Sequence, residues 1–462
     1  MLLFILKAIT NFMDFVPVVI TAIFVGHVGK LQLDAIMLAV AYTSVTGVAV
    51  GLGLNAACDT LISQIYGGKN LKYIGVIVQR AILILSLACF PCWALYINTE
   101  NILLLCGQDK DLARETELCV LVLIPALPEI LWPQILISIM ASVVTALVNY
   151  LTLFVQKSGV MGAALAITIG AVFQFILMFI YIRVKKLHVA SWTGWSTECL
   201  KDWWPFLALG IPGMLIISIE FWAFEIALIL TGLINLVELG AQSILNQLIV
   251  LVQKIPSSVG MAASIRVGIF LGAGETDHAK RSAKLSMVLG VFNGLLRGIG
   301  KPEIGALAFI IGYFLIVFPI GVPLMFSLKL GIKGFWTGMI IGFTCINLFF
   351  SIYFWRVNWN LVTEKALELV GLRKDLASFE NKVDPGTFDH SIDTPDDREL
   401  TNYASLDSSS SEFELQQKNN PDVSKEDRRA LKWLIIRRSL EALAVISTLF
   451  IGLIIKFTVK PH

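Results

Sequence analysis

Glu220 and Glu225 lie in the middle of a long apolar stretch, in the segment Ile216 to Ile226. An ionisable group inside a membrane is costly and marks a functional site by default. A carboxyl group withdrawn from water takes a proton more readily than one at the surface. Ionised, the same group attracts an organic cation. Proton and cation then compete for one site, the minimum chemistry of an exchanger. Phe221, Trp222 and Phe224 interleave with the two acids and offer ring faces to a cation, worth about 2 kcal/mol when desolvated. Phe224 follows Glu220 by one helical turn and shares its face, whereas Glu225 lies about 140° away on a straight helix. Pro212 and Gly213 could bend it. The plainer reading of either acid is a satisfied polar core residue.

Asn55 and Asp59 form a second polar pair four residues apart, with Gln64 beyond. They read equally as cavity lining and as a cap or packing pair near the inner end of a span. Lys7 and Asp14 fall close to one helix face but about 10 Å apart along the axis, with no evident role.

Other chemistries find no support. The chain has no nucleophile elbow and no phosphate-binding glycine loop, which excludes an ATP-driven pump within it. Its five His are scattered, so neither a metal nor a cofactor is expected. Cys89 and Cys92 make a C-x-x-C inside an apolar run, where small hydrophobes are the natural reading. No basic patch with interleaved aromatics points to nucleic acid.

The elements that must hold these acids are membrane helices. Of 462 residues, 56% are hydrophobic and 15% charged, and mean hydropathy is +0.77. Crossing a bilayer takes about 20 apolar residues, and the spans must be helical because no water is there to satisfy the backbone. Eleven spans are expected, near 3–25, 34–56, 73–97, 116–131, 134–155, 160–184, 205–231, 236–263, 304–327, 332–355 and 434–456. A weaker apolar piece lies near 285–296.

Lys69, Lys72 and Arg80, then Arg183, Lys185, Lys186 and Lys201, then Lys280, Arg281 and Lys284 flank loops separated by even numbers of spans. Short cytoplasmic loops are enriched in such residues. These loops and the N-terminus are expected inside, and the loop at Glu238 outside. The acidic, Ser-rich stretch of 359–431 reads as a disordered cytoplasmic tail, followed by a final span over 432–458.

The chain also repeats itself. Gly29–Ala35 resembles Asn235–Ala241 at an offset of 206, which also pairs Ala56 and Ala57 with Ala262 and Ala263. Gly159-x-x-Gly162 resembles Gly331-x-x-Gly334 at an offset of 172. Two parallel helical lobes follow, over 1–185 and 186–358. The smaller second offset makes the second lobe shorter by about one span and a loop.

Five stretches together resemble the vertebrate multidrug and toxin extrusion (MATE) transporters. They are Val25–Leu31, Ala57–Gln64, Cys89–Leu95, the Glu220–Glu225 segment and Leu296–Gly300, and the likeness covers nearly the whole chain. It implies an all-α polytopic membrane protein of two pseudo-repeated lobes around a central cavity, with an extra C-terminal helix. It implies export of organic cations in exchange for protons, no enzymatic activity and no bound cofactor. The expected partners are organic cations, protons and the lipid bilayer. The expected setting is the plasma membrane, an apical surface included, with the chain acting as a monomer.

The family's acidic cluster carries over to Glu220 and Glu225. Another family carboxylate falls on Gln247, which cannot cycle a proton, and a fourth belongs to a stretch absent before Leu296. Between Lys284 and Arg297 only twelve residues remain, about 18 Å of helix against a core of about 30 Å. They cannot cross and return, so the remnant is expected at the inner interface. A smaller loss lies near Pro128–Pro133. The deletions and Gln247 favour a second reading, a MATE-like chain that no longer transports. A flippase for lipid-linked sugars is a third, and a membrane-embedded enzyme a distant fourth.

Overall fold

The computed structural model describes residues 16–27, 30–123, 134–186, 192, 194–234, 236–288, 292–370 and 421–458. Among them helices dominate and no strand occurs. In order they are α1 (Val16–Gly26), α2 (Lys30–Thr43), α3 (Ala49–Gly67), α4 (Leu71–Ile97), α5 (Thr99–Leu105), α6 (Lys110–Leu123), α7 (Gln134–Tyr150) and α8 (Gly159–Val184). The second half continues with α9 (Trp203–Gly232), α10 (Leu236–Gly272), α11 (Thr276–Val288), α12 (Phe292–Gly298), α13 (Pro302–Ile311), α14 (Phe318–Phe326), α15 (Ile332–Arg356), α16 (Trp359–Val370) and α17 (Pro421–Thr458). Wider π-helical turns at 44–48 and 312–317 join α2 to α3 and α13 to α14 without a break.

Eight helical stretches among the described residues are long and apolar enough to cross a membrane, and Met140–Val155 is a shorter apolar one. Of the eleven expected spans, 3–25 and 116–131 run partly outside the described residues. The second span reaches from Asp34 to Gly67 rather than ending near residue 56. Asn55 and Asp59 therefore sit well inside a helix and not near its end.

The repeat has a backbone counterpart. Lys157 (φ 54°) and Gly159 (φ 55°) precede α8, while Lys329 (φ 53°) and Gly331 (φ 57°) precede α15. The left-handed conformation, costly for any residue with a Cβ, recurs at matched sites 172 residues apart. Glu238 closes the second of these turns. Its Oε2 accepts the Ile332 amide at 2.7 Å, a negative charge at a helix N-terminus.

The remnant of 285–296 does not lie flat at the interface. α11 and α12 enter the second half's core, where Ala279, Ala283, Phe292, Leu295 and Leu296 are buried. α12 approaches α10 so closely that a Cβ on Gly294 would meet the Gly260 carbonyl at 2.1 Å. Gly260 is twelve residues from the end of α10, so contact extends about 18 Å along that helix. Twelve residues too few to cross still carry enough apolar side chains to be worth burying, and glycine on both sides gives them room.

A second correction concerns the tail. Residues 359–370 form helix α16, and Trp359, Val362 and Ala366 at helical spacing are buried in the same core. α17 likewise starts at Pro421, within the stretch read as tail. Residues 371–420 lie outside the described residues.

The far end of α17 is tied to the first half. Lys456 pairs with Glu117 and lies 3.7 Å from Glu100, while Glu117 Oε2 accepts the Glu100 amide at 2.8 Å. Asn98 Nδ2 donates to the Gly452 carbonyl at 2.8 Å.

α3 packs along both α9 and α10 and thereby joins the two halves. A Cβ on Gly53 would fall 2.1 Å from Met214 Cα, one on Gly67 2.0 Å from the Ile269 carbonyl, and one on Gly272 1.8 Å from the Gln64 carbonyl. The contacts between α3 and α10 lie at the ends that lead to Lys69 and Lys280. Gly272→Ala should lower stability by about 1–3 kcal/mol through overpacking. Gly51→Ala, with nothing near its missing Cβ, should raise it by about 0.5–1 kcal/mol. Thermal unfolding of the detergent-purified chain checks both.

Candidate functional site

α9 carries the central acid because its first half is wedged against α3, at Gly210 and Gly213, and its second half continues upward past the wedge. Glu220 turns toward α10, where Gln253 Nε2 donates to its Oε1. Arg297 on α12 lies within electrostatic reach of Glu220 and also of Asp59 on α3. Tyr313, buried in the second half, feels the Glu220 charge as well. Its hydroxyl and the Nε of Arg297 are shut off from solvent without hydrogen-bond partners among the described residues. The α12 end is pinned from the first half. Thr60 Oγ1 donates to the Arg297 carbonyl at 3.0 Å, and Gln64 Nε2 to the Gly298 carbonyl at 3.3 Å.

Glu225 stands apart from this group. It is half-buried, and no hydrogen bond or ion pair among the described residues engages it. Its neighbour Phe224 packs against Trp336 of α15, ring centroids 6.3 Å apart. Trp336 Nε1 donates to Gln242 Oε1 at 3.1 Å, and Gln242 Nε2 to Asn246 Oδ1 at 2.9 Å. The two acids thus face different neighbours, as their angular separation requires.

Of the remaining candidates, Phe221 is half-buried and Trp222 half-exposed. Gln247 is exposed, and the chain of amides through α10 runs past it by way of Gln242 and Asn246. Asn55 is half-buried on α3, one turn from Asp59. The structure therefore brings Glu220, Asp59 and Gln64 together around α12, and does not bring Glu225 or Gln247 into that group.

Gln253, Lys254, Arg297, Tyr313 and Trp336 were not singled out from the sequence. Lys254 carried a usable signal, an ionisable residue within the apolar stretch Ile244–Gly272. Arg297 had one too, a lone cation beside a helix remnant. Tyr313 and Trp336 had none, being ordinary aromatics in apolar spans.

A family profile described as MatE matches residues 8–155 and 212–292. Multidrug and toxin extrusion protein 1 of Rattus norvegicus is 39% identical, covering 98% of this chain and 92% of that protein. The chain belongs to the MATE family. Its human relative of the same description is 37% identical, again over 98% of this chain and 92% of that protein. The alignment to the rat protein runs over 526 positions, more than the chain's 462 residues, so the relative holds stretches that this MATE chain lacks. The second profile match stops at 292, where α12 begins. Among solved structures, the eukaryotic MATE transporter AtDTX14 superposes with a TM-score of 0.75 at 25% identity, over 80% of this chain and 97% of that one. This MATE chain is thus an all-α, multi-pass membrane protein of a transporter family.

Gln253→Leu removes the one side-chain donor that the structure places on Glu220. An acceptor stranded in this way costs about 1–3 kcal/mol. A fall of that size in thermal stability, relieved in the double variant with Glu220→Leu, is the expected result.

Proposed function

We propose that the chain exports organic cations and xenobiotics in exchange for protons, by alternating access, and that Glu220 is where proton and cation compete. The observation that supports this most is the setting of Glu220. It is an acid in the middle of a span, bonded to a single amide donor and close to the seam between the halves. Such a group can exist with or without its proton, because Gln253 can donate to the ionised form and accept from the protonated one by turning its amide. Family membership supplies the prior for extrusion.

Glu225, Phe221, Trp222 and Phe224 are proposed to line the cation's path on the α15 side, with the aromatic rings providing cation–π contact. Asp59 and Asn55 line the first half. Gln247 contributes polarity and no proton. The plasma membrane is the proposed location, with the ends bearing Lys69, Lys185 and Lys280 toward the cytoplasm.

The second reading, a MATE-fold chain without transport, is favoured by one observation. α11 and α12 together are too short for the two crossings that their flanks would otherwise make.

Tetraethylammonium uptake into inside-out vesicles with an acid interior separates the two. Under the first reading the native chain takes up the cation in proportion to the proton gradient, and Glu220→Gln lowers that uptake at least about tenfold, the scale of one lost ionic contact. Absence of uptake by correctly inserted native chain selects the second.

A further inference from the structure

Arg297 has no part in the exchange described above, yet it is the charge nearest to it. The residue sits on α12, whose two glycines press against α10. A Cβ on Gly294 would lie 2.1 Å from the Gly260 carbonyl, and one on Gly298 2.8 Å from the Ser264 carbonyl. α12 therefore moves with α10, as part of the second half. Its exposed backbone end is held by the first half, through Thr60 and Gln64 of α3. The Arg297 side chain lies within reach of one acid from each half, Asp59 on α3 and Glu220 on α9. Immediately beyond, α3 and α10 close on each other at Gly67, Gly268 and Gly272, with Ser63 and Gln64 opposite.

We propose that Arg297 is a resident cation shared between Glu220 and Asp59, and that this sharing holds the seam between α3 and α10 closed on the side of the basic loops. The inference rests on the reading of Glu220 as the cation and proton site, because it assigns to that acid a competing internal partner. In a medium that offers no water, a guanidinium must keep counter-charges within the protein. Two acids on two halves can satisfy it together only while the halves are in contact. Parting the seam carries Asp59 away and leaves Arg297 to Glu220 alone. A substrate cation or a proton arriving at Glu220 acts in the opposite sense, since it displaces the guanidinium toward Asp59. Arg297 thus transmits the occupancy of the site to the contact between the halves. The planar fork of arginine suits two acids at once, which a lysine does less well.

The test is the distance between Tyr66 and Ala273, exposed residues at the adjoining ends of α3 and α10. Both are replaced by spin-labelled cysteine in the full chain with its other cysteines removed, reconstituted in lipid. The otherwise native protein is expected to give one short distance. Arg297→Gln and Asp59→Asn should each add a longer population, raising its ratio to the short one about tenfold, as loss of a partly buried ion pair would. Arg297→Lys should fall between. Asp59→Asn keeps the test open if Arg297→Gln does not fold. Distance distributions unchanged in both variants overturn the proposal, even where cation uptake is intact. Longer distances in a chain that shows no uptake support the role of Arg297 at the seam, while the reading of the chain as an exporter fails.

Discussion

A charge inside a bilayer has no solvent to return to, so each one must be answered by another group of the same chain. Glu220, Arg297 and Asp59 are such a set, placed on α9, α12 and α3. Much of the surrounding structure follows from bringing those three helices together. Glycine at 53, 210, 213, 294 and 298 lets the backbones approach until the charges are in reach of one another. Gln253 supplies the remaining donor to Glu220, and Thr60 and Gln64 satisfy the carbonyls at the end of α12. Apolar packing in a membrane gives little preference for one helix over another. Small residues and polar contacts of this kind are what select a particular arrangement.

The same constraint explains how the shortened second half is accommodated. α11 and α12 cannot cross the membrane, but α12 retains Arg297, and Arg297 has partners only at the seam. The hairpin is drawn into the core by that charge and by Phe292, Leu295 and Leu296, which are buried beside it. Resting at the interface would leave the guanidinium in water and those three side chains half-solvated. α16 packs on the same core through Trp359, Val362 and Ala366.

The helical, membrane-crossing character of the chain was legible from its apolar runs, and so was the internal repeat, whose matched loops share their left-handed backbone. Glu220 was legible because an acid in an apolar run stands out. Its partners were harder to find. Gln253 and Tyr313 are unremarkable in sequence, and their proximity to Glu220 is a product of helix packing between residues far apart in the chain. The depth of Asp59 was misjudged because hydropathy falls after residue 56, while the helix itself continues to Gly67. The amphipathic Trp359–Val370 helix was hidden by the acidic composition of the sequence that follows it. The α12 remnant was judged by length alone, which says whether a segment can cross but not whether it can be buried.

The central claim is that one acid, Glu220, exchanges a proton for a cation. It is tested most directly by the proton released when tetraethylammonium is added to the purified chain in weakly buffered solution. The account predicts release of about one proton per cation bound, lost in Glu220→Gln. Cation binding by the native chain with no proton released, or release undiminished in the Glu220→Gln variant, would contradict it.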